Sequence, residues 1–296
     1  MSGAFPRLIG DLTLVDLLLL LAPIVIVPLG LRLVPFTGIR SQQLLRLARM
    51  IQPAGAAAAV IAFLIAPGWT AGAVALGWLV TCAVASIAGL VELIERRSVR
   101  PLPLVPAAAL AYLSVGAAWL VVARAGLRPL GFSHEIVELT GVHFHYAGFA
   151  ATLMAALTIG ALRNRRRLGR LAVAAGMLIV AGVPITAAGI TTGSGALTIM
   201  GPVLLATGVL TVAALMALAI PSTAGPIARW FLWISAAGVV VPMLLGVDYA
   251  VGRVLPIAAL DLQAMALIHG DLNALAFSLA GLIGWTLVVR RRAPPP

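Results

Sequence analysis

Residues 135–149 read EIVELTGVHFHYAGF, which places Glu135, Glu138, His143, His145 and Tyr146 in a stretch otherwise fit for lipid. An apolar pocket favours the neutral form of a carboxyl group, which can then donate a proton, and a neighbouring histidine can orient that group or collect the proton. Glu138 with His145 meets this requirement for acid–base chemistry on an apolar substrate. Near the C-terminus, LDLQAMALIHGDLNALAF carries His269, Asp271 and Asn273, and Asp271 beside His269 meets it again. Such groups are scarce here, since only 10% of the 296 residues are charged and four are histidine. Ionisable groups inside a bilayer cost several kcal/mol each unless paired, so their presence marks a site.

The elements that must carry these residues are membrane helices. The chain is 62% hydrophobic, and its apolar runs recur along the whole length with no polar stretch long enough to fold separately. This predicts an all-α, polytopic transmembrane bundle forming a single domain over residues 1–296. Nine spans of about twenty residues are expected at 12–31, 50–67, 69–91, 101–123, 136–162, 170–190, 195–220, 227–247 and 260–289. Breaks fall at Pro67-Gly68, Arg100-Pro101, the TTGSG run at 191–195 and Pro221 to Pro226. The N-terminal run does not read as a signal peptide: Asp11 and Asp16 interrupt it and no small-residue cleavage site follows before Arg32.

Charge supports the count. All twenty positive side chains are arginine, and nine spans put sixteen of them on one side, leaving Arg7, Arg124, Arg128 and Arg253 on the other. That bias predicts an external N-terminus and a cytoplasmic C-terminus. The net charge of +11 is thus read as topology and contact with anionic head groups, not nucleic-acid binding. Seven of the nine acids map to the outer half; Glu92 and Glu95 lie inside, next to Arg96 and Arg97, in helical pairing distance. Cys82, the sole cysteine, sits in an apolar run and reads as a small packing residue.

Spans five and nine both enter from the outer side, so their polar groups lie at a matching depth of roughly 12–15 Å. One shared pocket is the economical expectation. On a regular helix His143 and His145 point about 200° apart, and Asp271 points away from His269 and Asn273. Either both faces are packed by protein, or Gly141, Gly148 and Gly270 permit local distortion. Polar side chains such as Thr140, Tyr146 and Asn273 can simply cross-link helices at about 1 kcal/mol each. Burying Glu138, His143, His145 and Asp271 together is harder to justify by packing alone. His134 reads as a surface residue before span five, and Asp16 either joins the pocket or reaches the interface.

The string LTGVHFHYAGF, followed near the C-terminus by IHGDLNALAFSLAGLIGW, resembles the bacterial YndJ-like membrane proteins, whose signature runs Thr-x-Thr-x-x-His-Phe-His. The resemblance covers the whole chain and rests on Thr140, His143, Phe144, His145, His269, Gly270 and Asn273. Glu138 stands where that signature has its first threonine, which adds an acid beside the histidines. The family implies a polytopic membrane protein and little about a reaction. HFHY is similar also to a string in haem–copper oxidase catalytic subunits, but that chemistry needs several more histidines, and only His134 and His269 remain.

Three functional classes follow. In the first, an intramembrane enzyme uses Glu138, His143, His145, His269 and Asp271 for acid–base catalysis on a lipophilic small molecule. Protonation of an epoxide or alkene, as in terpene or isoprenoid cyclisation, is the leading example. Thr140, Phe144, Tyr146, Phe149 and Asn273 would line the substrate, with aromatic faces for a cation. The second class is a metal- or haem-binding protein using His143 or His145 with His269 and a carboxylate. The third is a proton-coupled transporter. The residues name no cofactor. The expected setting is a cell membrane, with lipids as neighbours.

Overall fold

The computed structural model describes residues 7–9, 12–219 and 225–292. Among these, nine helices are long and apolar enough to cross a membrane: Leu14–Leu33, Ile39–Leu64, Trp69–Arg96, Pro101–Arg124, His134–Leu162, Arg166–Thr192, Gly195–Leu218, Pro226–Gly252 and Leu262–Arg291. They are spans one to nine, and the all-α architecture matches the sequence expectation. They are compatible with a multi-pass membrane protein. A short antiparallel ribbon, Arg7–Ile9 with Leu12–Thr13, leads into span one. Asp11, and residues 221–224 of the break after span seven, lie outside the described residues.

Proline and glycine set the boundaries as their backbones require. Pro101 and Pro226 occupy the first turns of spans four and eight, where a missing N–H costs nothing. Gly193 closes span six in the left-handed region, at φ 65°. Span two departs from expectation by starting at Ile39 instead of near residue 50. Its added turns carry Arg40 and Arg46 in exposed positions, and Arg49 donates from Nε and Nη2 to the Leu31 carbonyl (2.9 and 2.6 Å) at the end of span one. A hydropathy window misses such a segment because its helix is held by hydrogen bonds and not by lipid.

The start of span two shows those bonds. Its N-cap, Gly38, offers no side chain, and span three supplies carboxylates instead. Glu92 accepts from Gly38 N (2.9 Å), Thr37 N (3.2 Å) and Ser41 Oγ (2.5 Å), while Glu95 accepts from Arg40 N (3.0 Å) and Ser41 N (3.1 Å). Two anions thus satisfy the orphan N–H groups and face the positive end of the helix dipole. The expected helical pairing is also present, since Glu92 meets Arg96 at 3.3 Å.

The chain divides into two compact units, Met1–Phe149 and Ala150–Pro296, with the boundary inside span five. In the first unit, spans two, three and four pack in sequence through small residues: a Cβ on Gly89 would stand 3.1 Å from the Ala107 Cα. In the second, spans six and seven form a tight hairpin, where a Cβ on Gly182 would stand 2.7 Å from the Leu205 nitrogen. Close backbone approach through small residues is how membrane helices gain van der Waals contact without a hydrophobic driving force.

Candidate functional site

Three of the nine spans contain a π-helical segment: Ala22–Ile26 in span one, Phe144–Ala151 in span five and Leu272–Leu279 in span nine. Two of these begin within or beside the polar strings singled out in the sequence. The wider turn changes the angular step per residue, so the regular-helix faces assigned to His143 and His145 do not carry through, whereas His269 and Asp271 both precede the π segment of span nine and keep theirs. Span five is also largely enclosed, with 83% of its most apolar window buried, so polar groups on more than one face meet protein. Both routes considered for accommodating them are used.

The segment in span one shows how such a turn is held. Val27 N bonds to Ala22 O, five residues back. The next bond in that pattern would need an N–H at Pro28, which has none, so the Pro23 carbonyl is left over. The Gln52 amide of span two donates to it at 2.7 Å.

In the first unit, Glu138 lies at the acid-rich end of span five and is 4% exposed. Two residues that the sequence reading placed elsewhere or left open act on it. His134, one helical turn back, reaches the carboxylate at 3.0 Å. Asp16, itself buried, lies on span one, which packs against this part of span five, and its charge acts on the same carboxyl. Asp16 is held by Thr13 in a reciprocal cap, accepting from Thr13 N and Oγ1 (both 2.8 Å). Arg124 at the end of span four adds a positive charge felt by both acids. Its guanidinium donates to the carbonyls of Ala62 (3.1 Å) and Ile65 (2.7 Å) and lies 4.6 Å from the Phe63 ring centroid, closing the end of span two. The surface reading of His134 is therefore corrected: its side chain is 33% exposed and bridges solvent to a carboxyl group whose side chain is 5% exposed. The i, i+4 spacing of His134 and Glu138 was the available sequence signal.

His145 sits in a different environment. It is fully buried, and both ring nitrogens are engaged: Nδ1 with the Gly141 carbonyl at 2.8 Å, and Nε2 with the Trp78 indole N–H at 3.1 Å. A carbonyl only accepts and an indole only donates, so the ring is neutral with its proton on Nδ1. The indole and imidazole rings also stack at 6.1 Å. Gly116 makes room, because a Cβ there would come within 2.7 Å of Nδ1. Trp78 belongs to span three, and nothing in the sequence pattern pointed to it.

Of the remaining span-five residues, Tyr146 cross-links two helices, while Thr140 bonds back within its own. Thr140 Oγ1 donates to Ile136 O (2.6 Å), and Tyr146 OH donates to Leu18 O of span one (2.8 Å). His143 stands edge-on to Phe144 at 5.4 Å, Phe144 lies 6.0 Å from Tyr112, and Phe149 is fully buried.

In the second unit, His269 Nδ1 meets the Pro242 carbonyl of span eight at 2.6 Å, which fixes the proton on that nitrogen. Gly246 permits the approach, since a Cβ there would stand 2.9 Å from the imidazole Cε1. Nε2 then carries a lone pair with no partner among the described residues. Asn273 Nδ2 donates to the His269 carbonyl at 2.7 Å. Asp271 is partly exposed, with no hydrogen-bond partner among the described residues. Among the described residues no group of three His, Cys, Asp or Glu is placed to hold a metal ion.

A family model described as YndJ-like protein matches residues 17–277, which takes in Asp16's neighbour in span one, all of span five and the polar part of span nine. No curated protein matches the chain, and no solved structure does.

Proposed function

The chain belongs to the YndJ-like family, and on that footing we propose that it is a cell-membrane enzyme performing acid–base chemistry on a lipophilic small molecule, with Glu138 as the proton donor. One observation carries this reading: the part-exposed His134 meets the buried Glu138 carboxyl at 3.0 Å. Two buried carboxyl groups close together repel when both are ionised, which favours a proton on one of them. In the proposed step the O–H bond of Glu138 breaks and the proton adds to an epoxide oxygen or an alkene carbon. The resulting cation loses a proton to water, either directly or after closing a ring as in isoprenoid cyclisation. The carboxylate left behind is re-protonated from water through His134. The arginine bias along the sequence supports a cytoplasmic C-terminus.

The test uses purified protein and a panel of polyprenyl alkenes and epoxides in heavy water. Turnover should place one deuterium in a cyclised or isomerised product. Glu138→Gln should reduce it by roughly two orders of magnitude or more. His134→Ala should slow it, with recovery on adding free imidazole, which a merely structural histidine would not show. Unchanged panel compounds, together with gradient-driven proton uptake by proteoliposomes, would replace this reading with a proton-coupled transporter.

A further inference from the structure

We infer that the groove between spans six and seven is a binding site for one anionic phospholipid. The groove encloses about 540 Å³ and runs beside the arginine-rich connection that follows span five. Arg165 stands at its mouth, and Leu168, Leu171, Leu210, Ala214 and Leu218 form its walls. The two wall segments extend for roughly 9–12 Å along their helices, enough for the upper part of an acyl chain. Span six has only 33% of its apolar window buried, so most of that window is left uncovered by the protein.

Charge selects the occupant. Arg163, Arg165, Arg166, Arg167 and Arg170 are all exposed, and none has an acidic partner among the described residues. Span six begins among them with Arg165 as its N-cap and no capping side chain. The contrast with span two is informative, because there Glu92 and Glu95 neutralise the helix start. A groove of about 500 Å³ between spans two and three also has an arginine, Arg40, but Glu95 lines it too. The span six–seven groove alone of the two pairs an apolar channel with unopposed positive charge, which fits a phosphate head group above an acyl chain. This inference is independent of the catalytic proposal, since it uses none of the same residues.

Native mass spectrometry of the detergent-purified protein, titrated with phosphatidylglycerol or phosphatidylcholine, tests it. One phosphatidylglycerol should be retained in preference to phosphatidylcholine. The triple variant Arg165→Gln, Arg166→Gln, Arg167→Gln should weaken retention by at least about tenfold. Ala214→Trp, which fills the channel on an exposed position and leaves every charge in place, should weaken it comparably. Arg40→Gln should leave it unchanged. Equal retention of phosphatidylcholine, or wild-type retention by both the triple variant and Ala214→Trp, overturns the proposal. Loss in the triple variant with none in Ala214→Trp, or displacement by excess glycerol phosphate, overturns the groove as the site and leaves head-group attraction only.

Discussion

The Trp78 indole N–H and His145 Nε2 meet at 3.1 Å across 67 residues of chain, and the Gly141 carbonyl occupies the opposite ring nitrogen. His145 is thereby a pinned cross-link between spans three and five.

Removing it should act on stability. His145→Ala leaves a cavity and an unsatisfied indole N–H, at a cost of about 2–4 kcal/mol. Trp78→Phe should cost about 1–3 kcal/mol by stranding the Nε2 lone pair. Thermal unfolding in detergent reads both. A normal melting temperature in His145→Ala, with activity lost, would return that histidine to the chemistry.

The carboxylate cap on span two should be similarly costly to break. Glu92 is 2% exposed and accepts from Gly38 N, Thr37 N and Ser41 Oγ. Glu92→Ala strands these donors and should destabilise the first unit by about 2–4 kcal/mol. Glu92→Gln should fall between that variant and wild type, because the amide oxygen still accepts but the charge is gone. Limited proteolysis near residues 36–41 is a direct readout, and equal cleavage of all three proteins would remove the cap from the account.

At span eight, Gly246→Ala should displace the His269 imidazole, whose Cε1 would lie 2.9 Å from the new Cβ. Overpacking of this kind costs about 1–3 kcal/mol. The expected signature is loss of the Pro242 contact, seen as a changed His269 imidazole resonance in selectively labelled protein. An unshifted resonance would show that the ring does not depend on this glycine.

Topology is open to a simple experiment. Reporter fusions after Gly193 and after Arg292 should report opposite sides of the membrane, the latter cytoplasmic. The same side for both would contradict the alternation of spans seven to nine.

Local composition alone determined the number and rough positions of the nine spans, though not the start of span two, because lipid tolerates only continuous apolar helices and because arginine, proline and glycine punctuate them. It also located the scarce polar strings, since any ionisable residue stands out against such a background. What tertiary structure decided was partnership. Glu138 pairs with His134 instead of His145; His145 is claimed by Trp78; Glu92 serves the start of another helix; and His269 reaches a carbonyl on span eight. Hydropathy is a property each segment has with its solvent and can be read residue by residue. A hydrogen-bond partner depends on how two helices are rotated and offset against each other, and the π segments in spans one, five and nine change that rotation from His145 onward in span five and just past Asp16 and Asp271 in the other two.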